Sequence, residues 1–148
     1  MVTRLNESFM KKIIAILLGV FMLGTFASCD RTVSVDKLPK EAKQFVAANF
    51  NGVEILSVRK DGFKYDVLLF DGTEIEFKSN GQWREVDCGM NPLPAGILLP
   101  NTAQYLTAKF PMNFPTHVKY EHRRYEVEMN NDLDLVFDKN GGFMGADD

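Results

Sequence analysis

Two cysteines and two histidines carry whatever nucleophilic or soft-metal chemistry the 148-residue chain could perform: Cys29, Cys88, His117 and His122. A thiol nucleophile needs a histidine within hydrogen-bond reach and a third group to orient that histidine. Cys88 falls in a linker after a strand pattern, and neither histidine has a counterpart where the chain repeats itself. His117 and His122 stand five residues apart, on opposite faces of any regular strand, and no cysteine pair has zinc-site spacing. Asp138-Lys139-Asn140-Gly141 opens like a calcium loop, but the twelfth position counted from Asp138 would lie beyond Asp148, so the segment reads as a hairpin turn. No glycine-rich phosphate loop or serine elbow is present. The expectation is a non-enzymatic chain without metal or cofactor, with Cys88 as a small, half-buried apolar residue.

Cys29 belongs to a different kind of signal. Met10-Lys11-Lys12 forms a basic start, residues 13–23 are apolar except for Gly19, and a small-residue stretch then ends at Ala27-Ser28-Cys29. Eleven helical residues rise only about 16 Å, about half of the ~30 Å hydrocarbon core, so the segment reads as an export signal and not as a permanent span. Both Met1 and Met10 are candidate starts. Phe26-Ala27-Ser28-Cys29 resembles the lipobox of bacterial lipoproteins, with Phe26 where leucine is usual. The resemblance implies lipidation of Cys29, with ordinary cleavage near Ala27 as the alternative. Lipidation leaves Cys88 alone in the mature chain; without it, a Cys29–Cys88 disulfide is open. The expected location is the periplasm, or a lipid-anchored position in a Gram-negative envelope.

From Cys29 onward the chain has 14 Lys and Arg against 19 Asp and Glu, a balance of −5. Such a surface does not attract nucleic acid, and anionic headgroups repel it weakly, so membrane contact is expected only through the anchor. About 120 residues suit one monomeric domain, whereas either half alone would be marginal.

The elements follow from a repeat of 60 residues. Sliding Gln44 onto Gln104 also matches Phe50 with Phe110, Val58 with Val118, Tyr65 with Tyr125, Phe77 with Phe137 and Asn80-Gly81 with Asn140-Gly141. Each copy begins with a proline-led helix, over 40–49 and 101–109, with a further helical turn expected at 95–98. Period-two strands follow over 53–60, 63–70, 73–78 and 82–86, then 116–121, 124–129, 133–138 and 142–146, parted by turn dipeptides such as Asp61-Gly62 and Asp71-Gly72. The expected organisation is a signal at 1–29, a tether at 30–37, a first repeat at 38–88, a linker at 89–98 and a second repeat at 99–148.

Alternation assigns the faces. Phe63, Tyr65, Val67, Leu69, Ile75, Phe77 and Trp83 should meet the helices, as should Tyr125, Val127, Met129, Leu133, Leu135, Phe137 and Phe143. The opposite face is left to bind something. It should carry Lys64, Asp66, Leu68, Phe70, Glu74 and Glu76, then Arg124, Glu126, Glu128, Asp134 and Val136, with Leu68, Phe70, Tyr120 and Val136 as apolar anchors.

Taken in order, Leu38-Pro39 before a helix, helix ends at Asn49-Phe50 and Lys109-Phe110-Pro111, Tyr65-Asp66-Val67 and Tyr125-Glu126-Val127, and the Phe77–Gly81 and Phe137–Gly141 turns look like the PepSY-like, beta-lactamase-inhibitor-like domains of exported bacterial proteins. The resemblance spans roughly residues 38 to 146. It implies an α+β fold: a tandem duplication of a helix plus a four-stranded antiparallel meander, the two sheets joining into one curved surface. In the inhibitor after which the fold is named that surface grips an enzyme, although none of its contact residues can be matched here. Protein binding, with inhibition or regulation of an unknown exported protein, is therefore the leading expectation by analogy. A structural accessory lipoprotein of an envelope complex and a small-ligand binder between the repeats are the alternatives.

Overall fold

Proline-led helices and glycine-bearing turns divide the chain much as its periodicity suggests. In the computed structural model, which describes residues 31–147, helix α1 is Lys40–Asn49 and helix α2 is Pro100–Lys109. Neither N-terminus has a side-chain cap; Pro39 and Pro100 instead preset the backbone where an N–H would have no partner. Both helices end alike, with the Phe50 N–H donating to Val46 O and the Phe110 N–H to Leu106 O, each at 2.8 Å.

The strands are β1 (Arg31–Val33), β2 (Ile55–Asp61), β3 (Lys64–Leu69), β4 (Glu74–Lys78), β5 (Trp83–Asp87), β6 (Pro115–Glu121), β7 (Arg124–Met129), β8 (Asp134–Asp138) and β9 (Phe143–Asp147). They make one nine-stranded antiparallel sheet whose order across the sheet is the order in the chain. Both halves therefore share a sheet, joined where Glu85, Val86 and Asp87 of β5 pair with Lys119, Val118 and His117 of β6. Their buried side chains also form one core cluster.

Several expectations shift. The segment 30–37, read as a tether, contains β1 and a 3₁₀ turn at Val35–Lys37, because Val33 can face Val58 across the sheet edge. The linker 89–98 forms a turn, closed by the Ile97 N–H to Pro94 O, and not a helix; Leu93 and Ile97 drop into the core. Phe63 is 89 % exposed because Asp61 pairs with Lys64, which leaves Gly62 and Phe63 as a two-residue turn. Signal cleavage and lipidation at Cys29 lie outside the described residues.

Against the helices the sheet buries Val58, Val67, Leu69, Ile75, Phe77, Val86, Val118, Val127, Met129, Leu135 and Phe137. Phe45 of α1 meets Phe77 edge-on at 5.6 Å, and Tyr105 of α2 meets Phe137 edge-on at 5.6 Å. Phe143 is partly exposed yet stacks on Tyr105 at 4.5 Å. Among the described residues, no helix is long and apolar enough to cross a membrane.

Candidate binding face

With both helices on one side, the other side of the sheet carries the polar members of each alternation. Arg59, Asp66, Glu76, Glu85, Lys119, Glu126 and Val136 stand in register across seven consecutive strands, β2 to β8. The row is cross-linked. Lys64 Nζ lies 2.7 Å from Glu76 Oε2 and 3.6 Å from Asp66 Oδ1; Arg84 bridges Glu76 and Glu121; Lys119 Nζ lies 3.3 Å from Glu121 Oε2. Arg84 reaches both carboxylates because a bulge opposite Glu76–Phe77 inserts it as an extra residue. Its Nη1 sits 2.9 Å from Glu76 Oε1 without the angle of a hydrogen bond, so that oxygen has a cation beside it but no donor. The Glu76 hydrogen bond raises the Lys64 pKa, and the hydrogen bond from Lys119 lowers that of Glu121, so both remain charged at neutral pH.

Toward the opposite strand ends the cations give out. His117 Nε2 lies 2.9 Å from Glu85 Oε1 and its Nδ1 lies 3.5 Å from Glu128 Oε2, while Glu74, Asp87 and Asp134 continue the row at exposed positions. Two depressions indent this surface. One, of about 580 Å³, is lined by Ser57, Arg59, Lys64, Asp66, Leu68, Glu74, Glu76, Glu85 and Asp87. A second, of about 260 Å³, includes Glu85, His117, Lys119, Glu126, Glu128, Asp134 and Val136. Glu85 belongs to both, so they read as one trough across the junction of the halves.

The structure brings Lys64, Asp66, Leu68, Glu74, Glu76, Glu126, Glu128 and Val136 together on this face, as alternation requires. Arg124 sits exposed at the start of β7, opposite Glu121 and Asp138. Two expected anchors do not belong. Tyr120 faces the helices, paired with Tyr125 at 4.5 Å between ring centroids, because it follows Val118 by two positions and shares its side. Phe70 lies in the turn beyond β3 and is 74 % exposed. Arg84, Glu85, Asp87, His117 and Lys119 were missed. The alternation of Glu85 and Asp87 about Val86, and of His117 and Lys119 about Val118, was the signal that could have found them.

The groups tested for chemistry are kept apart. Cys88 is buried on the helix side, two positions after Val86, whereas His117 lies on the trough side and His122 is in the turn that closes β6 on β7. Burial pushes the Cys88 thiol up, away from the thiolate that would attack. We expect an alkylating reagent at neutral pH to leave Cys88 unmodified in the native protein and to label it in denaturant, with mass spectrometry as the readout. The Asp138 segment is a hairpin turn, its Oδ1 accepting from the N–H groups of Asn140 at 2.7 Å and Gly142 at 3.0 Å. Backbone donation, chiefly from Gly142, depresses the Asp138 pKa. Among the described residues no group of three or more His, Cys, Asp or Glu is placed to hold a metal ion.

The profile of the family described as "Putative beta-lactamase-inhibitor-like, PepSY-like" matches residues 63–145, more than half of the chain. The chain belongs to this PepSY-like family. A solved Bacteroides vulgatus structure, described as a putative periplasmic protein of unknown function, is 30 % identical to this PepSY-like chain with a TM-score of 0.75, over 80 % of this chain and 99 % of the other. A Bacteroides thetaiotaomicron structure, described as a putative calcium-regulated periplasmic protein, is 26 % identical with a TM-score of 0.77, over 82 % and 99 %. A second B. vulgatus structure, 24 % identical with a TM-score of 0.74 over 80 % and 97 %, shares the fold. No match was found among curated proteins.

Proposed function

We propose that this PepSY-like protein is a non-enzymatic, exported envelope module that uses the polar face of its sheet to bind another exported protein. The periplasmic descriptions of its structural neighbours support the location. The observation that carries the reading is the trough centred on Glu85: an ordered lattice of ion pairs at one side and a surplus of carboxylates at the other, spread over strands from both halves. A rigid, charge-patterned surface favours specificity and fast encounter over raw affinity. Its partner should present cationic side chains to Glu74, Glu85 and Asp87, with an apolar group over Leu68. The reading includes descent of both halves from one duplicated helix-plus-meander unit, supported by the equal offsets of the helices and of the Phe77 and Phe137 contacts.

A photocrosslinking residue at Leu68 or Glu128 should capture one protein in intact cells, and the same residue at Gln44, exposed on α1, should not. Glu85→Lys should weaken that capture tenfold or more by setting like charges against each other. Equal capture from Gln44, or none from the trough, would sink the reading.

A further inference from the structure

Net charge conceals how the charges are sorted along the strands. β2, β4, β6 and β8 run toward one end of the sheet and the strands between them run away, so the turns 62–63, 79–82, 122–123 and 139–142 gather there. Arg31 reaches the same end, opposite Lys60. Lys60, Lys78, Arg123, Arg124 and Lys139 join it, whereas the turns and strand ends at the far side carry Glu54, Asp71, Asp87, Asp132 and Asp134. Of the carboxylates at the basic end, Glu121 is engaged by Arg84 and Lys119, Asp138 is folded onto the backbone donors of its own turn, Asp61 stands opposite Lys64 beside the Phe63 turn, and Glu41 lies against the 79–82 turn.

Two further features mark this end. Phe63 projects from its turn 89 % exposed, beside Lys60 and Lys64. His122 and Arg123 hold the left-handed region, with φ of 50° and 65°, where Asn-Gly would close the same hairpin without strain. The turn is strained, and what the strain maintains is a projecting basic pair.

We propose that this end is a docking surface for an anionic phospholipid bilayer, with the basic turns against phosphates and Phe63 in the headgroup boundary. Clustered cations beside an exposed aromatic are the chemistry by which a protein surface settles on anionic lipid. Arg31, in β1 opposite Lys60, also stands at this end, and in the chain it is two residues from Cys29. Docking would hold the strands upright, with the acidic end away from the lipid. It needs no lipidation, because each Lys or Arg near an anionic surface contributes roughly fivefold in affinity.

The test uses residues 29–148 with Cys29→Ser, since the core formed by the described residues lies within that span, in cosedimentation with phosphatidylglycerol-rich and with phosphatidylcholine vesicles. Binding to the first alone, abolished by high salt, is expected. Arg123→Glu should weaken it at least tenfold, and Phe63→Ser should weaken it without changing its salt dependence. Arg123→Gly should weaken binding about fivefold while raising the melting temperature, which separates lost docking from lost folding. Equal binding to both vesicles, no binding at low salt, or unchanged binding by Arg123→Glu would overturn the proposal.

Discussion

Phe77→Ala is expected to lower the stability of the protein by about 3–5 kcal/mol, a large share of the ~5–15 kcal/mol that a domain possesses. Phe77 is fully buried near the end of β4, pairs with Tyr65 and Trp83 on its neighbours, and meets Phe45 of α1 edge-on. Truncation therefore removes a transfer term and leaves a hole bounded by both the sheet and the helix, which neither can close alone. Phe63→Ala is the control: the same deletion at an 89 % exposed turn position should move stability by less than about 0.5 kcal/mol. Urea melts of the two variants beside the parent check both values. A loss below about 1 kcal/mol for Phe77→Ala would mean that the α1 contact is not part of the stable core.

That contrast between two phenylalanines also marks how far the sequence could be read. Period-two patterning placed Phe77 inward because Ile75 and Phe77 alternate with Glu74 and Glu76 within one strand. It placed Phe63 inward as well, because alternation cannot tell that the register makes residues 62 and 63 a turn; the Asp61–Lys64 pairing decides that and is a property of two strands. Tyr120 is the opposite case, because alternation within its own strand suffices to turn it inward. Its side follows from the step of two from Val118, which buries it beside Tyr125. Four bulges, at Leu56, Arg84, Thr116 and Met144, break the alternation where an extra residue enters a strand, and one of them produces the two-carboxylate grip of Arg84.

The trough was half legible. Its first-half members, Lys64, Asp66, Glu74 and Glu76, sit in adjacent hairpins whose pairing is local. Its centre is not local: Glu85 meets Lys119 across a connection that contains α2. The charge sorting was likewise hidden, since a balance of −5 is a sum and the antiparallel order of nine strands decides where each charge stands. A surface that should repel anionic lipid on average can therefore present a basic end to it.

The second large effect concerns how α1 is seated. Gly81 has a φ of 85°, and a Cβ placed on it would lie 2.8 Å from Glu41 Cβ, 3.0 Å from the Ala42 backbone nitrogen and 3.0 Å from Pro39 Cβ. These are atoms of the first turn of α1 and its cap, so relief requires the helix itself to move. Gly72 has the same backbone conformation, with φ of 88°, and nothing within 4 Å of its virtual Cβ. Gly72→Ala should therefore show the left-handed penalty alone, about 1–2 kcal/mol. Gly81→Ala should add the overpacking of a helix against a turn, typically a further ~1–3 kcal/mol. Denaturant melts of the two variants measure the difference directly. Equal losses would show that α1 can shift by a few tenths of an ångström without disturbing Phe45 on Phe77. A larger loss at Gly81 would place the helix in rigid contact with the β4–β5 turn, which fixes the sheet under it and with it the spacing of Glu76, Arg84 and Glu85 on the other face.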